Sequence, residues 1–266
     1  MGDLGVYRHV VRAQIRSQTQ YRASFAIEII GSLVVSALDI GAVFVLFSVS
    51  GSLGGFTGTE VLLVTAMSAF AFTLADMVFG NTDRLREYVR TGQFDSILLR
   101  PLSALGQLLA VNFAPRRIGR VVQTGLLYIV ALFVADIDWS VAKAALVLIA
   151  PLSGGIFFGS LFVGGATVAF WWTETGEVAN AFTYGGRDFT AYPSTMYGGW
   201  FREVFAIGLG FGFVAYLPAL ALLGQSDPLG TPDWLRWCSP VPALVAAVLA
   251  SMFWRVGIRR YRSTGS

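Results

Sequence analysis

The chain has 266 residues, of which 55% are hydrophobic and only 13% are charged, and its formal net charge is +3. Soluble domains carry about 25% charged residues, so this composition excludes a soluble globular protein and predicts an integral membrane protein. The single cysteine, Cys238, excludes a disulfide within the chain and a cluster of thiolate metal ligands.

The N-terminal residues 1–22 place arginines between apolar residues, and they lack the apolar core and cleavage site of a signal peptide. This pattern predicts a basic amphipathic helix that lies on the inner membrane surface. A solvated basic tail is the alternative interpretation.

Six apolar segments are long enough to cross a bilayer, which takes about 20 helical residues. They cover residues 25–47, 61–79, 118–135, 142–170, 201–223 and 241–256. Pro151 predicts a tilt or kink in the fourth segment, and Pro218 predicts a kink or hinge in the outer third of the fifth. Residues 104–115 are apolar but too short to span, so we expect them in the interface or in a re-entrant turn. The whole chain, residues 1–266, is therefore predicted to be one all-α transmembrane domain.

Basic residues are distributed unevenly between the two sides of this arrangement. If both termini are cytoplasmic, 17 of the 19 basic residues lie on the inner side, and only Lys143 and Arg236 lie outside. The inner count includes Arg187 and Arg202, which belong to or follow a polar and aromatic region at residues 171–200. An excess of this size predicts cytoplasmic N- and C-termini.

The most charged part of the chain, residues 84–101, lies between spans two and three. Two short apolar faces alternate with its charges. The first face is formed by Leu85, Tyr88 and Val89, and the second by Phe94, Ile97 and Leu98. Gly92 can end the first helical turn in a left-handed conformation, and Pro101 ends the second. The pattern predicts a structured cytoplasmic element, within residues 80–117, that contacts a partner.

A phosphate-binding loop of the Walker type requires Gly-Lys-Ser or Gly-Lys-Thr. The only lysine, Lys143, stands between two alanines, so the chain has no such loop. The sequence also shows no nucleophile–base pair and no metal-ligand pattern. Any ATP-driven work would therefore use a partner that hydrolyses the ATP.

Acidic residues within the spans are the other candidates for function. Asp39 lies near the middle of span one, where it could belong to a substrate or proton pathway, or be a neutral or paired residue that packs helices. Asp76 lies near an inner helix end, and it and Asp83 are close enough in sequence to pair with Arg84 or Arg86.

Small residues at helical spacing mark close helix contacts in spans four and five. Gly155 and Gly159 share one face of span four, and Gly208 and Gly212 share one face of span five. Such faces allow helix backbones to approach closely in lipid. Packing within one bundle and an interface between subunits are both compatible with this pattern.

Three motifs together resemble the six-helix permease subunits of ABC type-2 exporters. They are Gly92-x-x-Asp95-x-x-Leu98-Leu99-Arg100-Pro101, then Tyr192-Pro193 followed by Tyr216-Leu217-Pro218, and then Trp254-x-x-Gly257-x-x-x-Tyr261-x-Ser263-x-Gly265. The resemblance covers nearly the whole chain. It implies a multi-pass protein of a bacterial cell membrane, with residues 1–22 as the connecting helix and a coupling helix between spans two and three. The link from residue 225 to 240 is shorter than in many such exporters, which argues against an elaborate outer gate.

The resemblance also implies partners and roles. The chain would pair with a second permease, identical or paralogous, in contact with membrane lipid and without nucleic acid, while separate cytoplasmic ATP-binding cassette subunits would hold ATP and magnesium. The residues expected to couple to the ATPase are Arg84, Glu87, Arg90, Gly92, Asp95, Arg100 and Pro101. The residues expected to line the pathway are Asp39, Asp76 and Pro218. Two alternatives remain: a secondary carrier or channel that uses Asp39, and a membrane scaffold without transport.

Overall fold

The computed structural model describes residues 31, 41, 54–111, 116–172, 176–228 and 230–262, which form helices and connecting turns without a β-strand. The helices are α1 (Gly58–Phe79), α2 (Leu85–Arg90), α3 (Gln93–Leu98), α4 (Ala104–Val111), α5 (Arg116–Val134), α6 (Val141–Thr167), α7 (Gly176–Thr190), α8 (Gly199–Arg202), α9 (Tyr216–Leu223) and α10 (Pro240–Arg260). The all-α prediction is confirmed for these ranges. The predicted surface helix at residues 1–22, and the first span apart from residues 31 and 41, lie outside them.

Four of the described helices, α1, α5, α6 and α10, are long and apolar enough to cross a membrane. They correspond to the predicted spans two, three, four and six. Local sequence explains where two of them begin. The Thr57 backbone N–H donates to Glu60 Oε2 at 2.7 Å in a capping box before α1, and the Ser140 side chain accepts from the Lys143 backbone N–H before α6.

Helix α6 is the centre of the described bundle, since it packs against α1, α7, α9 and α10, while α1 also packs against α5. Glycines on α6 bring it close to α1. A Cβ atom added at Gly154 would lie 2.8 Å from Ala71 Cβ, and one added at Gly159 would lie 2.5 Å from the Phe79 ring. Close approach of this kind lets dispersion forces hold helices together in lipid.

The region predicted as an inner polar segment, residues 171–200, is arranged differently. It contains α7, which runs antiparallel to the half of α1 that ends at Phe79; following the charge distribution, we call this end inner. The Tyr184 hydroxyl donates to Asp83 Oδ2 at 3.2 Å, and the Thr190 and Ser68 hydroxyls are 2.7 Å apart. Hydropathy did not predict this insertion because α7 is polar, and its polar groups find partners on α1 and on the turn that follows α1 instead of water.

Residues 201–223, predicted as one span with a kink at Pro218, form a bent pair of helical segments, and the bend does not lie at Pro218. Two helical segments, Gly199–Gly208 and Phe211–Leu223, meet at an angle of 60°. The bend is at Gly210, whose φ of 87° favours glycine. Pro218 lies in the first turn of α9, where a backbone N–H has no partner within the helix, so it breaks no hydrogen bond there.

Pro151, where the sequence predicts a tilt or kink, stands inside α6, which is continuous from Val141 to Thr167. Proline has no N–H to donate to the carbonyl four residues earlier, which is that of Val147. The hydroxyl of Tyr128, on α5, donates to this carbonyl at 3.2 Å. A neighbouring helix thus satisfies the group that proline leaves unpaired.

We expect Tyr128→Phe to lower the free energy of unfolding by about 1 kcal/mol, because the Val147 carbonyl then loses its donor in an apolar environment. In a Pro151→Ala background the new backbone N–H supplies that donor, so Tyr128→Phe should have a much smaller effect. Denaturant titration of the four proteins in detergent measures the difference. Equal effects of Tyr128→Phe in both backgrounds would contradict this assignment.

Candidate functional site

The charged element between α1 and α4 begins as a direct extension of α1. A 3₁₀ turn, Gly80–Arg84, leads from α1 into α2. Gly92 then reverses the chain with a φ of 70° and joins α2 to α3. An alanine at this position would have room for its Cβ but would be strained by the left-handed backbone. A glycine is therefore favoured at this position by the left-handed backbone and not by a lack of room for a side chain.

The underside of this element is apolar and buried. Four of its side chains enter a cluster with the inner ends of α6 and α10. The buried members of the cluster are Leu85, Val89, Phe94, Ile97, Leu108, Val163, Ala169 and Trp254. The predicted second apolar face is correct for Phe94 and Ile97, whereas Leu98 points outward and is exposed. The element is thus attached to two spanning helices besides α1.

Phe94 lies at the middle of an aromatic group within this cluster. Its ring centroid is 5.2 Å from that of Phe170 and 5.0 Å from that of Tyr261, and Phe170 is 5.5 Å from Trp254. Burial and the neighbouring Asp95 carboxylate raise the pKa of Tyr261 to about 12. Asp95, predicted to contact the ATPase, therefore faces the C-terminal end of α10.

Gln107, on α4, fixes the tip that follows α3. Its Nε2 atom donates to the backbone carbonyls of Ile97, at 3.0 Å, and Leu102, at 3.1 Å. The side chain is 3% exposed. These two carbonyls flank residues 98–101, so the tip is held at both ends. The role of Gln107 could not be predicted from the sequence, because a single glutamine in an apolar segment forms no recognisable pattern.

The outward surface of the element combines cations with an apolar tip. We call the exposed residues 84, 86, 87, 90, 98–101 the docking surface; it contains Arg84, Arg86, Glu87, Arg90, Leu98, Leu99, Arg100 and Pro101. Leu99 is 86% exposed and stands next to an arginine and a proline. Its place in the Leu98-Leu99-Arg100-Pro101 motif was the only signal available in the sequence.

A buried ion cluster connects this element to α5. Asp76 is 5% exposed, and its carboxylate lies 3.5 Å from Arg117 Nε and 2.8 Å from Arg120 Nη2. Arg117 also donates to Asn81 Oδ1 at 2.9 Å, and Asn81 Nδ2 donates to the Leu109 carbonyl of α4 at 3.1 Å. The expected pairing of Asp76 with Arg84 or Arg86 is thus wrong, because those arginines face outward.

The remaining predicted residues are placed as follows. Asp39 lies outside the described residues. Gly155 faces α1, where an added Cβ would lie 3.4 Å from Leu74 Cβ, while Gly208 and Gly212 face the turn of their own bent segment. No group of three or more His, Cys, Asp and Glu side chains that could hold a metal ion occurs in the described ranges.

Two features of the inner half were not predicted. An apolar cavity of about 730 Å³ lies between α6, α7 and α10, with Phe157, Phe182 and Phe253 among its lining side chains. Arg187, which the charge count assigned to an inner loop, instead lies against α1, its Cζ atom 5.4 Å from the centre of the Phe72 ring.

Comparison with known families gives a match over most of the chain. A family model described as "ABC-2 family transporter protein" matches residues 33–265. The matched range includes the docking surface, the buried ion cluster and α10. Neither the search of curated proteins nor the search of solved structures found a significant match.

We expect Gly80→Ala to destabilise the protein by about 2 kcal/mol, a typical size for breaking a buried polar network. An added Cβ would lie 2.2 Å from Asp76 Oδ1 and 2.9 Å from Arg117 Cζ, so the ion pair would have to move. Gly164→Ala is the matched control, because its Cβ meets no atom within 4 Å. Denaturant titration in detergent checks both variants, and similar stabilities would contradict the prediction.

Proposed function

Because the chain belongs to the ABC-2 family of transporter proteins, we propose that it is the permease of an ATP-driven exporter whose docking surface binds separate cytoplasmic ATP-binding subunits. The family is one of membrane-spanning transport subunits, and the several apolar helices indicate a multi-pass membrane protein. In this proposal the docking surface contacts the ATP-binding subunits, force passes from those subunits to the spans, and the ATP binds to the partner.

The observation that carries the proposal is the two-sided construction of the charged element. Its outward side exposes Leu99 among arginines, while its inward side buries Phe94 and Ile97. An apolar anchor surrounded by charges is typical of a protein–protein contact. Arginines that only set topology or contacted lipid headgroups would not require an exposed leucine at the tip.

The inward contacts supply routes by which force reaches the spans. Phe94 connects the element to α6 and α10 through Phe170 and Trp254. Asn81 and Arg117 connect it to α5. Because packed interiors transmit displacement instead of absorbing it, movement of a docked subunit would reposition three spans together.

The energy source belongs to the partner in this proposal. The only lysine, Lys143, has no flanking Gly and Ser or Thr for a Walker loop, so ATP and Mg²⁺ would bind to the cytoplasmic subunits. A second permease, identical or paralogous, would complete the substrate pathway. Purification in a gentle detergent tests the assembly. Recovery of a Walker-containing soluble protein in near-equal amount supports it, whereas uptake driven by an ion gradient without such a partner would refute it.

Changing exposed side chains of the docking surface should weaken assembly of the permease with the ATP-binding subunits. We expect Arg84→Glu/Arg90→Glu, or Leu99→Asp, to reduce the amount of co-purified ATPase at least several-fold, because each change removes a contact at an interface hot spot or rim. The spanning helices should keep their stability, since all three side chains are exposed.

The matched control is Arg259→Glu/Arg260→Glu, which reverses two exposed charges on the same side of the protein but outside the docking surface. This variant should retain the ATPase. Normal co-purification and normal transport in the docking-surface variants would show that the element has another role.

Gly92→Ala should separate binding from coupling. The left-handed backbone costs about 1–2 kcal/mol when a Cβ is present, so the angle between α2 and α3 should change while the exposed side chains remain. We expect the ATPase to co-purify normally and ATP-dependent transport to fall several-fold. Ser96→Ala, on the same element and exposed, is the control, and transport at the wild-type rate in Gly92→Ala would count against coupling through this turn.

A further inference from the structure

Arg187 is a cation at membrane depth. The side chain lies over Phe72, which is four residues further into the apolar part of α1 than the paired Asp76. At 1.5 Å per helical residue this is about 6 Å deeper. Two neighbouring contacts place the end of α7 deeper still: the Thr190 and Ser68 hydroxyls are hydrogen-bonded, and the Ala191 carbonyl accepts from the Thr65 hydroxyl.

Among the described residues, the acidic groups near Arg187 are engaged elsewhere or point away from it. Asp76 is paired with Arg117 and Arg120, and Asp83 accepts the hydroxyl of Tyr184. The adjacent Asp188 is exposed and lies about 100° further around the helix. No carboxylate in the described part of the chain forms an ion pair with Arg187.

Arg187 is exposed in spite of this depth. A charged side chain at the depth of an apolar span is expensive, and such residues usually face a water-filled pathway and serve transport. The guanidinium contacts the Phe72 ring in a cation–π interaction, which uses none of its N–H donors. A positive group whose donors this contact does not use, held against an apolar ring, matches an acidic headgroup that carries an apolar chain.

We propose that Arg187 binds the acidic group, a carboxylate or phosphate, of an amphiphilic substrate in the inner half of the membrane. The inference rests on the proposed transport function, because it names the substrate class of that pathway. A planar guanidinium binds such groups with two parallel hydrogen bonds, which an ammonium group does not reproduce.

Binding to the purified protein in nanodiscs of zwitterionic lipid tests this assignment without any ATPase. The probes are radiolabelled palmitate and hexadecanol, which share an apolar chain and differ in charge. We expect wild-type protein to prefer palmitate, Arg187→Gln to lose about tenfold in palmitate affinity, and Arg187→Lys to lose less. Hexadecanol binding should be unchanged in all three. Arg259→Gln, at the exposed end of α10, should behave as wild type.

Equal wild-type affinity for palmitate and hexadecanol would overturn the assignment even if the variants failed to fold. Unchanged palmitate affinity in Arg187→Gln would also overturn it. The Arg187 charge would then either be paired with a carboxylate of the chain or serve only in packing. Added dioleoyl phosphatidic acid tests whether a membrane lipid is the substrate. If it competes with palmitate and is also flipped by the reconstituted complex in the presence of ATP, the lipid is a substrate. If it competes but is not flipped, the transport role of Arg187 is overturned. Failure to recover an ATPase refutes the proposed function and leaves the binding result independent.

Discussion

Burial of the apolar underside of the charged element is the interaction on which the inner end of the protein depends. Phe94 is fully buried against Phe170 and Tyr261, and burying a side chain of this size contributes about 1.5–3 kcal/mol. A charged segment without this anchor would be a solvated loop with no fixed orientation. With it, the exposed side chains are held in a fixed orientation relative to α6 and α10.

The buried ion cluster complements this apolar anchor in a different way. A buried carboxylate is stable only when its charge is compensated, and Asp76 has two arginines from α5. Separating Asp76 from both arginines would leave a buried, uncompensated charge, so the cluster resists displacement of α1 relative to α5. It meets the apolar cluster at the 3₁₀ turn after α1, where the Thr82 hydroxyl also donates to the Phe162 carbonyl of α6 at 3.3 Å. The turn therefore joins α1, α5 and α6 at one point.

Sequence patterns predicted those parts of the fold that a single segment determines. Spans two, three, four and six follow from length and hydropathy, and Gly92 follows from the φ that only glycine takes easily. The insertion of α7 was not predictable in this way, because its polar groups are satisfied by Ser68 and Asp83, far away in sequence. The prediction that Asp76 pairs with Arg84 or Arg86 failed for the same reason, since its partners Arg117 and Arg120 are more than forty residues away in sequence. Leu99 could be recognised only through its motif, since exposure is a property of the folded chain.

The bent segment indicates where the bundle can accommodate movement of its inner end. The outer part, α9, is tied at both sides: Tyr216 donates to Asp227 at 2.5 Å, and Gln225 donates to Glu60 at the start of α1. The inner part, Gly199–Gly208, has exposed apolar side chains and few such bonds among the described residues. Gly210 joins the two, and an added Cβ there would lie 3.1 Å from Pro242 and 3.3 Å from Phe157. Because Gly210 lies against both α6 and α10, we expect a displacement of either helix to change the angle of the bent segment at this glycine and not at Pro218.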